Sequence, residues 1–197
     1  MSGSFFPMIA RMRYINRWGL MRNTDVENIQ EHSHMVAVLA HALAVIQNRY
    51  FGPQIDPGQA VVAALYHDAS EILTGDMPTP VKYKNEALRS AYKAVEQESA
   101  RLMASLQPEA LRSETEEFLT GRVLNDAERK ILKAADRLSA LIKCLEECQS
   151  GNREFEAARE QQLAALHGMD CPEAEYFITH MLPCYTQNLD ELTRGRF

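Results

Sequence analysis

At 197 residues the chain has the length of one domain with a sizeable core, and 46% hydrophobic residues with nine glycines and eight prolines describe an ordinary globular protein. Lys and Arg number 21 against 27 Asp and Glu; the net charge of −6 excludes a protein that grips polymeric nucleic acid or anionic membrane through an extended basic face. Arg11 and Arg13 interrupt the apolar N-terminus before a signal-peptide core forms, and no uncharged run of about 18 residues follows, so the expectation is a cytoplasmic chain without a membrane span.

Helical signals run almost throughout. Asn28-Ile-Gln-Glu31 reads as a capping box before an apolar run to about Tyr50, which Gly52 and Pro53 end. Asp56-Pro57 supplies an N-cap and a proline at the first helical position, opening a helix through Val61 to Leu73. Thr74 to Pro80 reads as a loop, because Gly75, Pro78 and Pro80 crowd it. A long amphipathic helix is expected from Val81 to Leu106 and a shorter one from Glu109 to Leu119. Asn125-Asp-Ala-Glu128 is a second capping box, introducing a helix to about Gln149 that Gly151 stops. Two more helices are expected, Glu154 to His167 and Glu173 to Leu192, the last bent at Pro183. No strand pattern, repeat or linker appears. The expected fold is an all-α, single-domain helical bundle over residues 1–197.

Three of these helices carry ionisable groups on apolar faces. His32 aligns with Val36, Leu39, Leu43 and Ile46. In Leu65-Tyr-His-Asp-Ala-Ser-Glu71, Asp68 shares a strip with Val61, Ala64, Leu65 and Ile72, and His67 follows Ala60, Ala63 and Ala64. Asp136 lies in a helix whose core strip holds Ile131, Leu132, Leu138, Ile142 and Leu145. Burying such groups uncompensated costs several kcal/mol per charge, so they are paired, solvated or bound to metal. Two carboxylates balance one divalent cation, and a mixed imidazole and carboxylate set suits first-row metals such as cobalt and manganese, and also magnesium. Cys144 and Cys148, four apart on a predicted helix, have the spacing of a metal pair but lack the rest of a zinc set; with Cys171 and Cys184 they read as reduced thiols.

The order His32, His67-Asp68, Asp136 resembles the ligand set of the HD-domain metal-dependent phosphohydrolases. Asn16-Arg-Trp-Gly-Leu-Met-Arg22, Glu31-His-Ser-His34 and the segment from Leu65 through Lys82 resemble, more narrowly, bacterial 5′-deoxynucleotidases of that superfamily. The likeness spans about residues 5 to 150; beyond it the expectation is packing or dimer contacts. It implies one divalent metal ion held by His32, His67, Asp68 and Asp136, and hydrolysis of deoxyribonucleoside 5′-monophosphates by a homodimer. Glu71, four residues after His67 and so on its helical face, would orient the attacking water or relay its proton. Arg17 would grip phosphate. Trp18 would shape the sugar pocket against a ribose 2′-hydroxyl, and Asp76, Met77, Pro78 and Thr79 would face the substrate. Rival readings are a deoxynucleoside triphosphate or alarmone hydrolase of the same superfamily, and a non-catalytic regulatory module.

Overall fold

The structure, a computed structural model, describes residues 3–52, 55–82 and 84–194, with the backbone alone described at Thr79. Pro53 and the side chain of Thr79 therefore lie outside the described residues. The helices are α1 (Phe5–Ile9), α2 (Ile29–Ile46), α3 (Pro57–Tyr66), α4 (Glu71–Thr74), α5 (Thr79–Lys82), α6 (Glu86–Ser105), α7 (Glu109–Leu119), α8 (Asp126–Gln149), α9 (Glu156–His167), α10 (Pro172–His180) and α11 (Leu189–Thr193). Among the described residues the only extended pairing is a single bridge between Asn16 and Asn28, and no helix is long and apolar enough to cross a membrane. The all-α class holds.

Both capping boxes form. Asn28 accepts from the amides of Gln30 and Glu31 while Glu31 reaches back to the Asn28 amide, and Asn125 and Glu128 repeat the arrangement. α2 packs on α3 and α8, burying Val36, Leu39, Leu43, Ile131, Leu138 and Leu141 in one apolar cluster. A second cluster gathers Phe5, Met12, Ile29, Ala69 and Met103. Burial of each large side chain is worth roughly 1.5–3 kcal/mol. Both α2 and the α3 segment run between the clusters. On α2, His32 falls between Ile29 of one and Val36 of the other; after α3, His67 and Asp68 fall between Ala64 and Ala69. The polar site thus occupies the seam of two dry regions.

Several helices are shorter than the sequence pattern suggests. α3 stops at Tyr66 instead of reaching Leu73, because the carbonyl of Ala64, which a continuing helix would offer to residue 68, accepts Nδ1–H of His67 at 2.7 Å. The chain then turns through i→i−3 bonds such as Glu71 N to Asp68 O, 2.9 Å. The expected helix from Val81 is broken into α5 and α6, since Asn85 caps α6 by accepting from Leu88 N at 2.8 Å. The expected C-terminal helix ends at His180; Leu182–Thr186 is a 3-10 turn containing Pro183, which has no amide to continue the ladder, and α11 follows.

Candidate active site

His32, fully buried on α2, makes two contacts to α8. Its Nδ1 meets Ser139 Oγ at 3.0 Å and its Nε2 lies 3.0 Å from Asp136 Oδ1. The same Nε2 is 3.6 Å from Asp68 Oδ2. His67 is oriented by its bond to Ala64 O, which fixes the proton on Nδ1 and turns Nε2 inward. That Nε2 lies 3.2 Å from Asp68 Oδ2 but lacks hydrogen-bond alignment, so it is a buried nitrogen without a partner among the described residues. Donor atoms of His32, His67 and Asp68 all fall within 4.8 Å of one another. Asp136 is the open member, its side chain 42% exposed. Three of the four residues expected as ligands, His32, His67 and Asp68, therefore form one cluster, and Asp136 joins it through its 3.0 Å contact with His32.

This donor set fits a divalent cation. Both imidazoles have their outer nitrogen engaged and their Nε2 directed at carboxylate oxygens, the arrangement that orients histidine ligands. Without a cation these acceptors repel one another unless a ring is protonated. Burial disfavours charge on His67, but Asp68, then Asp136 and the Ala64 carbonyl, outweigh it and hold the imidazole up at about 9. Burial would raise Asp68 too, yet His67, His32 and Arg17 keep it well below the usual carboxylate range. The site demands positive charge.

Arg17 and Trp18 sit on a loop, residues 15–29, whose ends meet. Arg17 N donates to Glu27 O and Ile29 N to Ile15 O, each at 2.9 Å. Trp18 has φ of +59°, an uncommon backbone for a bulky residue that costs roughly 1–2 kcal/mol. Its carbonyl accepts from Met21 N at 2.9 Å, and its ring packs 5.3 Å from that of Phe155. The crown of the loop is tied to α8. Buried Glu147 accepts from Thr24 N at 2.9 Å, Asp25 N at 3.1 Å, Asn152 Nδ2 at 2.7 Å and Lys143 Nζ; Lys143 also donates to Asp25 O. Burial alone would raise Glu147, but these donors hold it well below the carboxylate range. Burial likewise opposes charge on Arg17, and Glu27, Asp68, Asp136 and Asp76 together outweigh it.

Glu71 is not on a common helical face with His67, because the helix is interrupted between them; the turn nevertheless keeps it beside Asp68 and Asp76. It is 6% exposed with Oε2 unpartnered among the described residues. Burial, then Asp68 and Asp76, push it up to about 10 against the pull of Lys82 and Arg17. Asp76 is also raised by burial, with Arg17 opposing. A cleft of about 740 Å³ is lined by Arg17, Trp18, Asp76, Met77, Pro78 and Asp136. A second cavity of about 310 Å³ reaches His67 and Asp68 beside Lys82, Lys93 and Glu96.

Sequence reasoning missed part of this wall. Lys133, Arg137 and Ala140 of α8 and Ala158, Gln161 and Gln162 of α9 also line the large cleft, and Arg137 Nη1 donates to Gln162 Oε1 at 3.2 Å. The C-terminal quarter thus contributes more than packing. Ser139 had a legible signal, a hydroxyl three residues after Asp136 within an apolar strip. Glu27 had none, since its role comes from loop closure.

The family model described as 5′-deoxynucleotidase YfbR-like matches residues 4–185. A 5′-deoxynucleotidase of Vibrio atlanticus is 42% identical over 189 residues, 96% of this chain and 97% of the relative. The 5′-deoxynucleotidase YfbR of Escherichia coli (strain K12 / DH10B) is 42% identical over 190 residues, 96% of both. Among solved structures, an HD-domain phosphohydrolase of Listeria innocua superposes with a TM-score of 0.82 at 25% identity, covering 94% of this chain and 90% of the other. The cyanophage S-2L HD phosphohydrolase DatZ, bound to dA and one catalytic Zn2+ ion, shares the fold with a TM-score of 0.69 at 20% identity, covering 92% and 96%.

Proposed function

This chain belongs to the 5′-deoxynucleotidase YfbR-like family, and from that premise we propose which of its residues perform the hydrolysis. It is a metal-dependent phosphomonoesterase that converts deoxyribonucleoside 5′-monophosphates to deoxynucleosides and inorganic phosphate. One observation carries the assignment of roles. His32, His67 and Asp68 cluster, and Asp136 meets His32 from α8, so donors from three segments gather beside a cleft that also presents Arg17, Trp18 and Asp76.

His32, His67, Asp68 and Asp136 would hold one divalent cation; when bound it supplies an acidified water and neutralises phosphoryl charge. Arg17, mostly buried yet charged, offers a planar fork to the phosphate oxygens. Glu71, its carboxyl raised by burial and by Asp68 and Asp76, lies beside the reacting centre and is the group proposed to hand a proton over there and take it back. Asp76 faces the sugar or the attacking water from its loop. Met77 and Pro78 complete that wall, Thr79 follows them in the proposed substrate segment, and the indole of Trp18 takes the volume a ribose 2′-hydroxyl would need. The proposed assembly is a homodimer, for which the exposed Val38 and Val45 of α2 offer an apolar strip. The proposed location is the cytoplasm, with the deoxynucleotide pool.

The test is direct. Protein stripped with a chelator and resupplied with cobalt, manganese, magnesium or zinc is assayed for phosphate release from deoxynucleoside monophosphates, ribonucleoside monophosphates and deoxynucleoside triphosphates. Release from the first class, restored by metal, is expected. Silence with every metal, or preference for triphosphates, would overturn the assignment.

A further inference from the structure

Resting on the deoxynucleotidase reading above, we propose that Glu27 is the positioning residue that sets phosphate grip and sugar selection together. A single oxygen, Oε2, accepts from Arg17 Nη1 at 2.5 Å and from Trp18 Nε1 at 3.1 Å. The side chains of Arg17 and Glu27 are only 13% and 14% exposed, so water competes poorly for this acceptor. The guanidinium carbon of Arg17 in turn lies 5.6 Å from the Trp18 ring centroid, closing a triangle.

An arginine has five N–H donors, so the bond to Glu27 fixes the guanidinium plane and leaves the others for a ligand. Trp18 has one donor, and Glu27 takes it. With its nitrogen anchored and its backbone in the left-handed region, the indole keeps one orientation at the cleft wall. Glu27 also precedes Asn28, the cap of α2, and His32 follows one turn later. The substrate loop and the helix bearing a candidate metal ligand therefore share a joint at this carboxylate. Neither Arg17 nor Trp18 can turn without disturbing an oxygen that the other uses.

Trp18 is the single tryptophan of the chain, so intrinsic fluorescence reads its surroundings directly. Glu27→Gln in ligand-free protein is expected to shift Trp18 emission and increase its quenching by acrylamide. In turnover, the deoxy-over-ribo ratio of kcat/KM is expected to fall about tenfold, with KM rising more than kcat falls. The rise in melting temperature on adding metal should persist, separating this effect from damage to the metal centre. Trp18→Phe, which keeps a ring but removes the N–H, is expected to lower the same ratio without adding to the loss in the double variant. Unchanged quenching and an unchanged ratio in Glu27→Gln would overturn the proposal, as would a Glu27→Gln chain that cannot fold, or fully additive losses. Wild-type protein inactive on every nucleotide would sink the deoxynucleotidase reading itself, whereas an active wild type with an indifferent Glu27→Gln sinks only the role of Glu27.

Discussion

Nε2 of His32 and Oδ1 of Asp136 lie 3.0 Å apart although 104 residues separate them in sequence. This approach joins α2 to α8 through two groups whose lone pairs need a cation or proton between them. A ligand that binds only the folded state at a hundred times its Kd stabilises by about 2.7 kcal/mol. Metal is therefore expected to raise the melting temperature of wild-type protein, and Asp136→Ala or Asp68→Ala to abolish that rise together with turnover. A full metal-induced rise in either variant would remove that residue from the ligand set.

Ser139 orients His32 from the other side of the ring, 3.0 Å from Nδ1. Loss of such an outer contact typically lowers metal affinity about 10- to 100-fold. Ser139→Ala is expected to show this in competition against a chelating dye while its helical circular dichroism stays native. Equal affinity in the two proteins would mean that packing alone aims the imidazole.

Glu71 is held up at about 10 in the fold, above its ordinary 4.5. The unfolded chain releases this proton as pH rises past about 4.5 while the folded one retains it, so its contribution to stability declines from there up to about pH 10. In metal-free protein, Glu71→Gln is expected to be more stable than wild type at about pH 8, by ~1–3 kcal/mol, and equal to it below about pH 4. The same variant should hydrolyse deoxynucleotides more slowly. Urea denaturation at both pH values checks the first statement, and a rate equal to wild type would strip Glu71 of its proposed part in proton handling.

Glu147 and Lys143 are 1% and 7% exposed in their side chains. Breaking a buried pair on one side leaves an uncompensated charge, at a cost of ~3–5 kcal/mol. Glu147→Ala is expected to lower the urea midpoint accordingly and to weaken substrate binding through the loop it tethers. Because the fold depresses the Glu147 pKa, this stabilisation is present above the ordinary glutamate value and is lost as pH falls below about 4.5. A destabilisation under about 1 kcal/mol would mean that Thr24 and Asp25 are held by other contacts.

The helical class, both capping boxes and the approach of Asp136 to the cluster of His32, His67 and Asp68 were legible because each leaves a local mark: a cap spacing, an apolar strip, or a charge on that strip. Element ends were less so. Nothing in the pattern from Val61 to Leu73 announces that the His67 ring takes the Ala64 carbonyl and stops the helix, and Asn85 reads as an ordinary polar residue until its side chain is seen on Leu88 N. The substrate wall was half visible. Arg17, Trp18 and Asp76 were expected from a resemblance and line the cleft, whereas Gln161 and Gln162 reach it only through the packing of α9 on α8, a long-range relation without a sequence period.

The segment from Ile15 to Ile29 begins and ends at the same place, since its two limbs are stitched by Arg17 N to Glu27 O and Ile29 N to Ile15 O. A stretch with adjoining ends is a removable cassette. Its counterpart from a relative with different sugar tolerance could be transplanted whole, provided that the recipient keeps the acceptor at Glu147 and the side-chain amide of Asn152, which donates to Arg22 O at 2.7 Å. Sugar selection would then travel with the phosphate grip of Arg17, while all four candidate metal ligands stay behind in the recipient, because the exchanged piece contains none of them.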